Sequence, residues 1–273
     1  MKNLLLRSFT GLLYVGIIVY LIIFGSSWGF PILCSVFAIL ATIEFFKMTD
    51  TTGGIDIPRI IDIIGAILIS ALPICHTIFG LNTSIIIAIA YYLFRTILQL
   101  YTHEHSPAGR LSGSLMSTLY IAAPLAITSM LYLNNGAAIT LAMFVMIWLN
   151  DTGAFCVGSL IGRNRLFPRH SPKKSWEGFF GGMAFCIGAA FIIKQFFGTL
   201  STDLSLTQLC IMGAVVCISS TWGDLIESMF KRAANIKDSG HLLPGHGGIL
   251  DRIDSLLLVA PSVWLLLLIF NIF

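Results

Sequence analysis

The feature that most constrains this chain is a series of apolar runs, each near the length of about 20 residues that carries an α-helix across a hydrocarbon core. They fall at 9–24, in a second run ending near Met48, and at 60–79, 83–100, 117–133, 137–161, 178–197, 206–222 and 256–273, with short polar connections between them. A bilayer interior offers no water to the backbone, so such runs satisfy their N–H and C=O groups internally, as helices. The expected fold is all-α, a polytopic integral membrane protein with about nine transmembrane helices. Composition agrees, since 11% of the 273 residues are charged and 56% hydrophobic, against about 25% charged in ordinary soluble domains.

The first run follows Lys2 and Arg7 and could pass for a signal peptide, but no small-residue cleavage site comes after it; Gly25 to Trp28 reads as a tight turn into the second helix. The chain divides into an N-terminal region, 1–135, of about five helices, and a C-terminal region, 136–273, of about four. The weakest boundaries lie at Gly136 and Gly223. With this span count the N-terminus, Lys47, Arg59, Arg95, Arg110 and the loops 162–177 and 231–250 with Arg252 share one side, and only Lys194 falls towards the other. Positively charged connections stay in the cytoplasm, which places the N-terminus inside and the C-terminus outside. The net charge of +3 is modest and no nucleic-acid partner is expected. Cys34, Cys75, Cys156, Cys186, Cys210 and Cys217 stand singly inside apolar runs and read as small packing residues, without the spacing of a zinc site.

Against this background the stretch from Ser228 to Asp254 concentrates charge. Just before and into it, Asp224, Glu227, Ser228 and Lys231 are spaced i, i+3, i+4 and i+7, so they share one face if the preceding apolar helix runs on past the membrane surface. Turn formers follow, from Lys237, Asp238, Ser239 and Gly240 to Pro244, Gly245, His246, Gly247 and Gly248, and such a loop lets backbone N–H groups approach an anion. Asp251, Asp254 and Ser255 then open the last helix, where the dipole favours carboxylates. Asp224 and Asp251 could converge on Mg²⁺, a hard ion that takes one or two carboxylates and completes its shell with substrate phosphates. Lys231, Arg232, Lys237 and Arg252 would meet the remaining phosphate charge. Taken one at a time, the same residues are equally those of a solvated loop with capping aspartates.

A second polar block begins at Asn150, Asp151 and Thr152, which interrupt an apolar helix well before its end. A carboxylate there costs about 2.5–3.5 kcal/mol on insertion scales unless it faces a polar cavity, so Asp151 is expected to line the site. Gly153, Gly158 and Gly162 suit close helix packing. The loop that follows carries Arg163, Arg165, Arg169, Lys173 and Lys174, either as a topology-setting basic loop beside anionic lipid or as phosphate contacts.

The run Ser228, Lys231, Arg232, Lys237, Asp238, Pro244, His246, Gly247, Gly248, Asp251, Arg252 and Asp254 resembles the signature of the phosphatidate cytidylyltransferases, also called CDP-diacylglycerol synthases. The sequence Asn150-Asp-Thr-Gly-Ala, then Gly162-Arg, then Ser171 to Gly178, is similar to the same family, so the likeness covers about residues 148–255. Thr221 and Trp222 depart from it, where many relatives have a more polar approach to the glycine and aspartate. The resemblance implies attack of the phosphate of phosphatidic acid on the α-phosphorus of CTP, releasing pyrophosphate and leaving CDP-diacylglycerol. On that reading Asp224, Lys231 and Asp251 are the catalytic set, with Mg²⁺ on Asp224 and Asp251. Substrate contacts fall to Asp151, Arg163, Lys173, Lys174, Ser228, Arg232, Lys237, His246, Gly247, Arg252 and Asp254. The ionised lipid phosphate needs no strong base, so His246 either orients a phosphate or stabilises the glycine turn, and Asp254 is either a third metal ligand or a helix-start residue. A homodimer, and a monovalent cation beside Mg²⁺, belong to what the resemblance allows. The implied setting is a bacterial cytoplasmic membrane, among membrane lipids, with the site facing the cytoplasm.

Two other readings remain open at this stage: a CTP-dependent polyprenol or phytol kinase, and an ion-coupled transporter using Glu44, Asp151 and Asp224. Glu44 itself is either a functional carboxylate at membrane depth or one reaching the interface beside Lys47. His103, Glu104 and His105 read as a solvated connection, and Asp50, Asp56 and Asp62 as loop or helix-start residues.

Overall fold

The computed structural model describes residues 2–49, 56–102, 106–196, 204–240, 242 and 247–272. Asp50, His103 to His105, Pro244, Gly245 and His246 lie outside the described residues. The helices are α1 (Lys2–Ile23), α2 (Gly29–Thr49), α3 (Ile57–Ser70), α4 (Leu72–Phe79), α5 (Leu81–Leu98), α6 (Pro107–Met116), α7 (Ala123–Ile161), α8 (Trp176–Phe196), α9 (Leu206–Ala233) and α10 (Leu250–Ile269). One antiparallel hairpin, β1 (Arg165–Phe167) with β2 (Ser171–Ser175), joins α7 to α8. Among the described residues, six helical stretches are long and apolar enough to cross a membrane, and a seventh arises if α3 and α4 are one bent span. The chain is therefore an all-α integral membrane protein. The expectation of about nine spans meets this smaller number for two reasons: the stretch Pro107–Ile161 counts once, and the apolar part of α1 is the shorter Thr10–Ile23.

The chain forms two compact units, Met1–Leu133 with Asp238–Asp251, and Asn134–Lys237 with Arg252–Phe273. In the first, α2 packs against α3, and α4 pairs with α5. Asp56 caps α3, its carboxylate accepting the N–H of Arg59 at 3.0 Å, with Pro58 preset for the first turn. The helix breaks at Ala71 because Pro73 has no N–H to offer the preceding turn and its ring crowds the carbonyl there; α4 leaves at 50°. Gly80, at φ +85°, then reverses the chain into α5.

The sequence expectation for Asp62 is corrected here. Its carboxylate is buried, and Arg95 from α5 meets it with Nε to Oδ1 at 2.6 Å and Nη2 to Oδ2 at 3.4 Å. The hydroxyls of Tyr91 and Ser114 donate to the same Oδ1, while Arg95 Nη1 donates to Gln99 Oε1 at 3.0 Å. The two charged side chains are 0% and 2% exposed. Three helices, α3, α5 and α6, are thus joined through one satisfied polar network, the condition under which a buried charge is tolerated.

In the second unit the long helix α7 is interrupted at Gly136, whose φ of 82° and ψ of 179° no ordinary L-residue adopts at low cost. The expected boundary at Gly136 is present. Past Gly223, where the apolar run ends, the helix continues: α9 runs unbroken from Leu206 to Ala233, starting from a capping box between Ser205 and Gln208. The C-terminal half of α7 lies backbone-to-backbone on α8: a Cβ at Gly178 would stand 2.9 Å from the Ala154 carbonyl oxygen. The α8–α9 pair is closely packed, with the thiols of buried Cys186 and Cys217 donating weakly to the carbonyls of Met146 and Phe179.

Removing one partner of the Asp62–Arg95 pair strands the other charge in an apolar interior. Asp62→Ala or Arg95→Ala is expected to destabilise the protein by about 3–5 kcal/mol. The double change to leucine recovers most of that loss, read as melting temperature in detergent.

Candidate active site

The polar face expected on α9 is present because the helix continues beyond its apolar section. Asp224, Glu227, Ser228 and Lys231 all belong to it. Ser228 donates its hydroxyl to Asp224 Oδ1 at 3.2 Å, and Lys231 forms an i, i+4 ion pair with Glu227, whose side chain is fully buried. From the first turns of α10 comes Asp254. One carboxylate oxygen from each of Asp224, Glu227 and Asp254 lies within 4.8 Å of the others.

Gly223 makes this convergence possible. A Cβ there would stand 2.7 Å from the Asp254 carbonyl oxygen and 3.1 Å from Ser255 Cα, closer than real Cβ contacts run. Ser255 ties the same crossing by donating to the Ser220 carbonyl at 3.3 Å, and Ser220 Oγ accepts from Asn150 Nδ2 at 3.2 Å. The three helices α7, α9 and α10 are therefore linked immediately beside the acidic group.

Beside that group opens a cavity of about 570 Å³, within the range of about 300–1,000 Å³ common for small-molecule sites. Asn150 and Asp151 from α7, Lys173 and Lys174 from β2, and Thr221 and Asp224 from α9 supply its polar lining. Phe155, Leu166 and Phe179 supply apolar wall. Lys174 Nζ lies 2.7 Å from Asp224 Oδ2 and also donates to the Thr221 carbonyl at 3.3 Å. Asp151 has Asp224, Lys174 and Arg252 as charged neighbours. Asp151, expected to line the site, and Lys173 and Lys174, expected as phosphate contacts, all line this cavity.

Other expected residues stand differently. Arg163 is exposed, and its backbone N–H donates to Glu177 Oε2 at 3.1 Å; Glu177 also takes the N–H and side-chain amide of Asn164, so this carboxylate shapes the turn before the hairpin. Arg165, expected rather to belong to a topology-setting basic loop, lines the cavity and donates to the Lys173 carbonyl at 3.3 Å. Arg232 closes the end of α9 by donating to the Ile236 carbonyl at 3.1 Å, and Lys237 and Arg252 are exposed. His246 is outside the described residues.

Asp251 was expected to share an ion with Asp224. Its Oδ2 accepts from the Ser239 N–H at 2.9 Å, the Ser239 hydroxyl at 3.0 Å and the Gly248 N–H at 2.9 Å. The loop's N–H groups thus hold a carboxylate of the chain itself, and Gly247, at φ +82°, brings its backbone against that same oxygen. The carboxylates gathered as a potential ligand set are Asp224, Glu227 and Asp254. Three convergent oxygen donors of this kind match the preference of Mg²⁺ for carboxylate oxygen, so the residues present fit the ion. Glu227 had only been placed on the polar face by its spacing; its i+3 relation to Asp224 was the signal that could have promoted it.

The sequence model of the cytidylyltransferase family matches residues 5–270. A phosphatidate cytidylyltransferase of Haemophilus influenzae is 44% identical over 128 residues, 46% of this chain and 44% of that protein. One from Staphylococcus epidermidis is 41% identical over 135 residues, and one from Staphylococcus aureus 40% over 137, in each case 50% of this chain and 51% of the relative. The chain spans about half the length of the curated relatives it matches.

The α9–α10 crossing yields a direct test. Gly223→Ala must push the Asp254 turn away and is expected to destabilise by about 1–3 kcal/mol, as overpacked sites do. At Gly188 nothing lies within 4 Å of an added Cβ, so Gly188→Ala should be neutral or stabilising by up to about 1 kcal/mol. Melting curves of the two variants in the same detergent check the contrast.

Proposed function

Because the chain belongs to the cytidylyltransferase family, we propose that it is a phosphatidate cytidylyltransferase, joining CTP and phosphatidic acid to give CDP-diacylglycerol and pyrophosphate. The observation that carries this reading is the carboxylate group Asp224, Glu227 and Asp254 beside a cavity lined by lysines and by aromatic and aliphatic side chains. A nucleotide triphosphate and a lipid phosphate need cationic and hard-metal partners, and acyl chains need apolar surface.

In this reaction a lipid phosphate oxygen forms a bond to the α-phosphorus as the bond from that phosphorus to the β-phosphate oxygen breaks, and pyrophosphate leaves with that electron pair. Such a displacement asks the protein for position and charge neutralisation more than for a covalent intermediate. Lys174 and Lys173, both on β2, stand where phosphate oxygens would meet them, with Arg165 behind them on the hairpin. Lys231 pairs with Glu227 of the acidic group. Asp224, Glu227 and Asp254 would hold Mg²⁺, which when bound supplies neutralisation and polarisation of phosphate oxygens. Ser228 orients Asp224 through its hydroxyl, and Asp151 lines the approach. The lipid phosphate is ionised at neutral pH, so no general base is required.

The finer topology belongs to the same reading: about nine spans with the N-terminus in the cytoplasm and the C-terminus outside. It rests on the segregation of Lys and Arg, and on the break at Gly136 dividing one long helical stretch. The site would then face cytoplasmic CTP, in a bacterial cytoplasmic membrane. A homodimer is the assembly proposed.

Purified protein supplied with phosphatidic acid, Mg²⁺ and CTP labelled at the γ-phosphate is expected to release label as pyrophosphate. Label transferred to lipid would identify a CTP-dependent lipid kinase instead. Asp224→Asn, retaining shape and losing charge, should lower turnover at least about 100-fold, and Lys174→Ala by a similar factor, the usual cost of removing one charge-stabilising group. Near-wild-type turnover in Asp224→Asn would remove this residue from the metal site.

A further inference from the structure

Glu44 lies on α2, far in sequence from the polar stretch, and its side chain is buried with 6% of its surface exposed. Its carboxylate is enclosed by the described residues of the 238–251 segment. Oε1 accepts the N–H of Ile249 at 3.0 Å, and Oε2 accepts the N–H of Leu250 at 2.8 Å and lies 3.1 Å from Ser239 Oγ, whose one proton is shared between Glu44 and Asp251. Two of these donors are backbone groups at the start of α10, which its own turn cannot satisfy. A carboxylate at that position caps the helix from outside and meets the positive end of its dipole.

The loop is also shaped to this carboxylate sterically. A Cβ on Gly240 would stand 2.6 Å from Glu44 Oε1, and one on Gly248 would collide with Oε2 and with Ser239 Oγ. Two glycines of the polar stretch are therefore explained by room for Glu44. Ser239 connects this carboxylate to the next, its Oγ lying 3.1 Å from Glu44 Oε2 and 3.0 Å from Asp251 Oδ2. Glu44, Ser239 and Asp251 thus form a continuous polar array that fixes both ends of the glycine-rich loop.

We propose that Glu44 is a positioning residue for the reaction, the template around which Ser239, Gly240 and Gly248 to Leu250 take their working positions. This rests on the function proposed above. Glu44 touches no substrate on this view; it acts through Ser239, Gly248 and the first turn of α10, the helix that carries Asp254. The geometry calls for two acceptor oxygens. An amide offers one, and turns an N–H₂ towards a backbone N–H.

The test uses the purified full chain in detergent, with Glu44→Gln, Glu44→Asp and wild type compared by turnover, melting temperature and limited trypsin cleavage at Lys237, an exposed residue beside the loop. Glu44→Gln is expected to lower kcat about 100-fold, the cost of misplacing reacting groups by about 1 Å, with the KM for CTP near wild type. It should cut faster after Lys237 while melting temperature and cleavage elsewhere stay close to wild type. Glu44→Asp, which retains both acceptors, should recover part of the turnover. Wild-type turnover and wild-type cleavage in Glu44→Gln would overturn the proposal. So would a general loss of folding, with cleavage throughout the chain, which would make Glu44 a stability residue only. The trypsin readout needs no substrate, so a wild-type protein that failed to turn over CTP would defeat the functional reading while cleavage still decided whether Glu44 shapes the loop.

Discussion

The constraint on which this structure depends is the cost of placing charge among apolar helices. A carboxylate at membrane depth persists only with a partner or a polar cavity, and the chain answers in three ways. Asp62 has a guanidinium and two hydroxyls. Glu44 has the backbone N–H groups at a helix start. Asp224, Glu227 and Asp254 are gathered with Lys174 and Lys231 close by, so negative charge exceeds the positive charge paired with it. The first two are locally closed arrangements, and the third invites a further cation. That difference, more than the number of acidic residues, separates scaffolding from a candidate site.

Much of the architecture was legible because hydrocarbon imposes so strict a rule on the backbone. Apolar runs announced helices, and the i, i+3, i+4 spacing of Asp224, Glu227 and Ser228 announced a polar face on α9 that the unbroken helix bears out. Gly136 broke the pattern where the helix breaks. Gly223, at the end of an apolar run, stays helical, and its missing Cβ serves a close approach by α10. Glycine in a sequence signals either a positive φ or a near neighbour, and periodicity alone does not distinguish them.

What the sequence hid was pairing across distance. Asp62 and Arg95 are separated by an entire helical turn-and-return, and Glu44 meets Leu250 across most of the chain. Neither contact leaves a local pattern. Asp251 sits in the most conspicuous polar stretch, and its Oδ2 accepts from Ser239 and Gly248. Glu227, less conspicuous on an amphipathic face, lies with Asp224 and Asp254. Basic residues were similarly mixed: Lys173 and Lys174 are on the cavity, and Arg165 joins them through a hairpin that no apolar pattern foretold.

The hairpin has a physical rationale in the proposed reaction. Its substrates come from different solvents, so the reacting phosphates must meet where apolar wall and cationic groups adjoin. Lys173 and Lys174 are consecutive residues of β2, and both line the cavity. Lys174 is held by Asp224 and the Thr221 carbonyl, at the acidic side, whereas Lys173 is exposed and its carbonyl is fixed by Arg165. One lysine is thereby tied into the carboxylate group and the other left with freedom to follow an incoming phosphate. An arrangement of two equally anchored lysines would neutralise the acidic group at the expense of substrate binding. An arrangement of two free ones would leave Asp224 without a counter-charge before substrate arrives.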